Sequence, residues 1–323
     1  MTTGKELRAL NLESLIAEFE QDADNDAWRD FSIEQAACAL AERGEEGIQY
    51  LVDHYSNADA AHAQAALTGL TFAEPPLEDI ADVLTSALDD PREQVVESAI
   101  QGLSALRIRE PVDRIASYQT HNEEMLRAAC FEYFAWVFPP RAIAALDAAL
   151  ADESWRVRAI SLMAVNFSEE KVLINAGILR AWWYLDDAQS SVRADANWLL
   201  WNHYWKGKTN SKRVKAGRKH PDPRIRASAI RTSLELRARR APKILPKAFA
   251  DSSRIVIINA LDVMQEIYST VRHEELPALP DMTPWLTNDD PVIRAAAEEA
   301  AEAKAMDEEF HARRLAETED DGN

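Results

Sequence analysis

The sequence predicts an all-α protein, a right-handed α-α superhelix (solenoid) of about nine helical hairpins, on three observations. The first is a recurring pair, in which an apolar residue is followed four positions later by a small one. The pairs are Ile33/Ala37, His62/Ala66, Val95/Ala99, Leu126/Cys130, Val157/Ser161, Val192/Ala196, Ile225/Ala229, Val256/Ala260 and Ile293/Ala297, with His62 the polar exception. Successive first members lie 29, 33, 31, 31, 35, 33, 31 and 37 residues apart, the interval of a helix–turn–helix repeat. The second is glycine, only 9 of 323 residues, too few for a fold built on tight hairpins that need positive φ. The third is the dominance of Ala, Leu, Glu and Arg, all strong helix formers.

Each repeat reads as two helices joined by a short turn. First helices are clearest in PPLEDIADVLTSALDD (75–90) and PPRAIAALDAALAD (139–152). Second helices open in DDPREQVVESAIQGL (89–103), DESWRVRAISLMAV (152–165), DAQSSVRADANWLL (187–200), HPDPRIRASAIRTSL (220–234) and NDDPVIRAAAEEAA (288–301). Asp ahead of the helix caps its orphan N–H groups, and Pro in the first turn loses no donor the helix needs. The small residue four places into the apolar stripe lets the partner helix approach closely.

The recurring Asp-Pro-x-[Val/Ile]-Arg-x-x-Ala arrangement resembles the HEAT repeat family, including its bacterial HEAT-like branch, across residues 12–306. The resemblance implies that the arginine after the apolar anchor forms a ladder tying adjacent repeats. Those positions are Arg127, Arg158, Arg193, Arg226 and Arg294, with Val96 and Ile257 interrupting the series. Residues 1–11 then form a lead-in, and 307–323, ending ETEDDGN, an acidic tail expected to be disordered.

Composition narrows the setting. Cys38 and Cys130 both fall inside the repeat pattern, as free thiols rather than a disulfide framework or a CxxC metal site. The amphipathic, acidic N-terminus lacks the basic-then-apolar order of a secretion signal, and no window reaches 18 consecutive apolar residues. A cytoplasmic protein without cofactor, metal or membrane insertion is the expectation.

Charge is segregated along the chain. Residues 1–205 hold 15 Lys/Arg against 35 Asp/Glu, net −20; residues 206–247 hold 15 against 2, net +13; residues 248–323 hold 6 against 18, net −12. In a repeat array a run of sequence becomes one belt in space. A belt this basic either binds an anion, whether phosphate backbone or acidic protein surface, or neutralises its acidic flanks within the molecule.

Beside the belt lie seven of the nine tryptophans: Trp136, Trp155, Trp182, Trp183, Trp198, Trp201 and Trp205. At 100° per residue from Val192 the core stripe is Val192, Ala196, Leu199 and His203, and Trp198, Trp201 and Trp205 fall on the opposite side. Either these rings fill space between repeats or they line a binding surface. Repeat register also places Trp198, Arg231 and Asp262 side by side, which offers a Trp198–Arg231 cation–π contact. The candidate binding residues are therefore Trp198, Trp201, Trp205 and Arg231, with Lys206, Lys208, Lys212, Arg213, Lys215, Arg218 and Lys219. An aromatic shelf beside basic residues suits base stacking with phosphate contact.

Catalytic motifs are weak. The chain has no HExxH, no helically spaced His pair and no glycine-rich phosphate loop. One His-Glu pair, His273-Glu274, is similar to a unit of the di-iron deoxyhypusine hydroxylases, which need four. Trp182 and Asp186, with Arg224 or Arg226 one repeat onward, resemble the site of HEAT-like alkylpurine DNA glycosylases, but those enzymes are basic and their longer motif is missing here. The leading expectation is a non-enzymatic scaffold for a protein partner, an adaptor or inhibitor-like protein. The resemblance includes bacterial immunity proteins against basic toxins, which suits the acidic N-terminal region. Nucleic acid or another polyanion at the basic belt is the alternative.

Overall fold

The computed structural model describes residues 4–21, 27–73, 77–235, 237–271 and 275–320. The chain is an all-α solenoid of helical hairpins, and among the described residues every regular element is helical. It divides into two compact units, Met1–Ala164 and Val165–Asn323.

In the first unit the helices are α1 (Gly4–Leu7), α2 (Leu12–Phe19), α3 (Ala27–Ala41), α4 (Glu45–Tyr55), α5 (Ala60–Leu70), α6 (Leu77–Ala87), α7 (Glu93–Ala105), α8 (Val112–Ala116), α9 (Glu124–Val137), α10 (Pro139–Leu150) and the start of α11 (Trp155–Phe167). The second unit continues with α12 (Lys171–Ala181), α13 (Ser190–Leu199), α14 (Lys212–Gly217), α15 (Pro223–Leu234), α16 (Ala241–Phe249), α17 (Arg254–Thr270), α18 (Thr283–Leu286) and α19 (Pro291–Asp320). The nine apolar/small pairs fall one to each odd-numbered helix from α3 to α19, and both members are buried in every case except Ile225. Helix formation and burial thus share one cause, an apolar stripe wide enough to pack against the partner helix and both neighbouring hairpins. Cys130 is buried and Cys38 half-buried, both as free thiols.

Entry to the second helices follows one chemical rule. Asp152 accepts from Ser154 N at 2.8 Å, Asp222 from Arg224 N at 2.8 Å, Asp251 from Ser253 N at 2.9 Å and Asp290 from Val292 N at 2.9 Å. The ladder arginines complete it. Arg127 donates from Nη1 to the carbonyls of His121 and Asn122 while its Nε and Nη2 grip Asp152, each at 2.8 Å. Arg226 repeats the geometry on His220, Pro221 and Asp251. One guanidinium therefore closes its own turn and fixes the carboxylate that caps the next helix, with planar, bidentate bonds that lysine cannot make. Where Val96 and Ile257 leave the slot empty, an arginine at the helix start substitutes. Arg92 reaches Ala58 O at 2.5 Å, and Arg254 bridges Asp186 at 2.8 Å and Asp290 at 2.9 Å.

Two expectations are corrected here. The acidic tail expected to be disordered, 307–323, is helical in α19 as far as Asp320, and 321–323 lie outside the described residues. Neighbouring hairpins also do not simply pile in sequence order within the second unit. There α17 packs on α15 and directly on α13, through Arg193–Asp262 and Asn197–Asn259.

Candidate interaction surface

The second unit's departure starts where α13 ends. Residues Leu200–Tyr204 form a π-helical turn, and Trp205 N donates to Leu200 O, five residues back, at 2.8 Å. A π turn holds one residue more than an α turn, so everything after it is rotated relative to the α-helical wheel. Lys206 (φ 55°) and Gly207 (φ 63°) then enter left-handed backbone and stop the helix. The rotation carries Trp205 inward: it is 4% exposed, and its indole N–H donates to Ser228 Oγ at 3.0 Å. Gly217 makes room for it, because a Cβ there would stand 2.8 Å from the Trp205 ring and 2.9 Å from Ala229 Cβ. Trp205 is thus a core residue, correcting its place among the binding candidates.

Arg231 is corrected as well. It is 6% exposed and committed to carboxylates, hydrogen bonding through Nη2 to Glu266 and lying 3.7 Å from Asp262. Register does bring it beside Asp262. Instead of stacking on Trp198 it spends its charge on acids, and burial pushes its guanidinium pKa down. Trp198 remains exposed, edge-on to Phe167 at 5.1 Å, and Trp201 is half-buried with its indole N–H enclosed.

Of the basic candidates, Lys206, Lys208, Lys212, Arg213, Lys215 and Lys219 are exposed and Arg218 is half-buried. Among the described residues none of these seven forms an ion pair with a carboxylate. The belt therefore splits. Arg226 and Arg231 neutralise acids of their own unit, whereas the edge 206–219 keeps its charge uncompensated. Ring contacts link that edge to the turn after α12: Trp182 meets Tyr204 edge-on at 4.8 Å and Arg213 lies 4.0 Å over Tyr204, while Arg224 of α15 lies 3.9 Å over Trp183.

That end of α12 carries a signal that the tryptophan count alone obscured. Val172, Leu179 and Trp183 are all exposed, Leu179 by 71% and Trp183 by 64%. Residues 172 and 179 fall within about 20° of one direction on the α12 wheel, and Trp183 stands in the turn just past its end. The i, i+7, i+11 spacing was available in the sequence. It was concealed because ILRAWWYL is apolar nearly all round.

Beneath this surface lies a buried polar cluster. Arg193, 1% exposed, holds Asp262 through two bonds of 2.8 and 2.6 Å, and burial opposes its charge while the Asp262 bonds outweigh that. Asn197 Nδ2 donates to Asn259 Oδ1 at 2.7 Å, and Asn259 in turn donates to Leu185 O at 2.8 Å. Against the cluster opens a cavity of about 200 Å³ lined by Asp195, Asn197, Trp198, Trp201, Arg231, Glu235 and Glu266, among others. Burial raises the Asp195 carboxyl to about 6, with Arg231 pulling the other way.

The catalytic candidates are occupied otherwise. Asp186 accepts from Arg254 at 2.8 Å, and Trp182 packs on Tyr204. His203 Nε2 sits 2.9 Å from Asn166 O. His273 and Glu274 lie outside the described residues. No group of three or more His, Cys, Asp or Glu suited to a metal ion occurs among the described residues. Nor is any described helix long and apolar enough to cross a membrane.

Comparison with known proteins agrees with this geometry at the level of the repeat. Residues 81–166 match the family model for HEAT repeats. This stretch is HEAT-repeat sequence, and the arginine ladder runs through and beyond it. No curated protein matches the chain significantly. Among solved structures, the E. coli protein YibA is similar at 14% identity, over 80% of this chain and 94% of its own, with a TM-score of 0.49. Human deoxyhypusine hydroxylase is similar at 12% identity, over 94% and 97%, with a TM-score of 0.35. A computationally designed armadillo repeat protein for modular peptide recognition is similar at 19% identity, over 91% and 99%, with a TM-score of 0.24.

Proposed function

We propose that this protein is a non-catalytic repeat scaffold, an adaptor or inhibitor-like protein that binds a protein partner through its second unit. The observation that carries this reading is the exposed group Val172, Leu179 and Trp183 on and just after α12, with Arg224 over the Trp183 ring, in a unit that also holds seven basic side chains of 206–219 without an ion pair among the described residues. A helix face that exposes large apolar side chains, rimmed by charge of one sign, is the composition of a docking surface. The fitting partner presents an apolar groove with an acidic rim, whose charge steers the encounter while the apolar contacts hold it.

The test places a photo-crosslinking amino acid at position 179 and compares capture by the parent with capture by Leu179→Asp and Trp183→Asp. A protein crosslinked from 179 and lost in both variants, at unchanged melting temperature, supports the reading. Equal capture by the variants overturns it. The unpaired edge also favours a second reading, a polyanion site. Polynucleotide binding through 206–219 would weaken steeply with salt, and charge reversal at Lys212 and Lys215 would abolish it without touching the α12 contact.

A further inference from the structure

The cavity between α13, α15 and α17 is not used by the docking surface, and its chemistry points to a ligand of its own. We infer that it is a binding site for an organic cation, a guanidinium or alkylammonium head group of the kind that ends an arginine or lysine side chain. The inference is independent of whether α12 docks a partner.

Charge decides the sign. Asp195, Glu235 and Glu266 line the cavity against a single cation, Arg231. Arg231 is drawn to other carboxylates, since Glu266 accepts its Nη2 and Asp262, which Arg193 holds, lies 3.7 Å from its Nη1, although Nη1 itself makes no hydrogen bond among the described residues. Asp195 and Glu235 have no hydrogen bond or ion pair among the described residues, and the one cation that attracts them, Arg231, is shared with Glu266 and Asp262, so the lining is net acidic. An anionic ligand would meet three carboxylates, and an apolar one would leave them dry and unpaired.

Three buried groups of lining residues lack a hydrogen-bond partner among the described residues: the donors Arg231 Nη1 and Trp201 Nε1 and the acceptor Asn197 Oδ1. Asn197 is 4% exposed, and its amide orientation is fixed because Nδ2 donates to both Asn259 Oδ1 at 2.7 Å and Arg193 O at 3.1 Å. Its Oδ1 is left as a buried acceptor without a donor. A cationic head carrying several N–H groups can neutralise Asp195 and Glu235 together. Trp198 at the rim offers an aromatic face, which favours an organic cation over a hydrated metal ion. A volume of about 200 Å³ takes such a head group with part of its stem.

The experiment titrates the full-length protein by calorimetry with agmatine, Nα-acetyl-arginine methylamide and Nα-acetyl-lysine methylamide, with glutarate as the anionic control. Saturable one-to-one binding of at least one cation is expected, with none for glutarate. Asp195→Asn, which keeps the shape and removes the charge, should weaken binding about tenfold or more. Trp198→Leu, at an exposed position that the core does not need, should weaken it several-fold and keeps the test decisive if Asp195→Asn alters folding. Agmatine equal to the arginine derivative assigns the site to free small cations. A much tighter arginine or lysine derivative assigns it to a side chain carried on a polypeptide. Absence of saturable binding for all three cations up to about 10 mM, or binding unmoved by both substitutions, overturns the inference.

Discussion

The two units obey the same repeat rule and differ in how far their polar ties reach. In the first unit, long side-chain ties join neighbouring repeats: Arg127 to Asp152 across 25 residues, Arg92 to Ala58 across 34. In the second, Arg226 to Asp251 keeps the 25-residue reach, but other ties span two repeats. Arg193 meets Asp262 across 69 residues, Asn197 meets Asn259 across 62 and Arg254 meets Asp186 across 68. Three second helices thus share one polar centre where two would ordinarily share an apolar seam. The difference teaches where a repeat protein of this kind can hold a site. Regular stacking ties its arginines to the caps of the next repeat, and the interruption leaves a cavity lined by Asp195, Glu235 and Glu266 in the unit that also holds the basic edge.

The largest expected effect breaks this comparison directly. Asp262→Asn strips a buried carboxylate from two arginines that are 1% and 6% exposed, and stranded buried charge costs about 3–5 kcal/mol. The matched change in the first unit, Asp152→Asn, loosens a partly exposed pair and should cost about 1–2 kcal/mol. Urea unfolding of both variants, read at the midpoints, checks the ratio. Equal losses would mean that the polar centre of the second unit is no more demanding than an ordinary ladder rung.

A second substitution sharpens the comparison by raising stability. Burial lifts Asp195 from 3.8 to about 6, so between those values the folded chain holds a proton that the unfolded chain has lost. Stability therefore falls as pH rises through that window, and above about 6 the full penalty is present. Asp195→Asn removes a charge whose burial Arg231 offsets only in part. It should stabilise the protein at pH 7 by roughly 1–3 kcal/mol and by almost nothing near pH 3.5. A residue whose loss stabilises the fold while weakening cation binding is held for the ligand, not for the core. A destabilised Asp195→Asn at pH 7 would place it in the structural network instead.

Fold and site were unequally legible in the sequence. The nine apolar/small pairs located each second helix because burial of a stripe is a local, periodic property, and Ile225 alone is half-exposed, in the helix where stacking is disturbed. The ladder was legible for the same reason at Arg127 and Arg226. Arg193 carried an unread signal: an aspartate stands 25 residues beyond Arg127 and Arg226, but Arg218 stands 25 beyond Arg193. A ladder arginine facing an arginine must find its carboxylate elsewhere, and Asp262 is that partner. At Trp205 the structure takes the first of the two alternatives, a ring filling space between repeats, and the wheel at 100° per residue could not choose between them because it runs through a turn with a different pitch. No short-range pattern announces that turn, and it is sustained by tertiary contacts such as Trp205 against Ser228 and Gly217.

The smallest effect tests that displacement. Trp205→Phe keeps a ring against Gly217 but leaves Ser228 Oγ, fully buried, without its indole donor. An unsatisfied buried hydroxyl costs about 1–2 kcal/mol, to which the lost ring volume adds a little. Trp198→Phe changes an exposed side chain whose contact with Phe167 a phenyl ring can keep, so its cost should stay within about 0.5 kcal/mol. An unbroken α-helix through residue 205 predicts the opposite, because it sets Trp198 and Trp205 on the same outer face and makes both changes equally mild. Thermal unfolding of the two variants side by side therefore reads out the extra residue of the π turn. Equal melting temperatures would return Trp205 to the surface and with it the aromatic shelf.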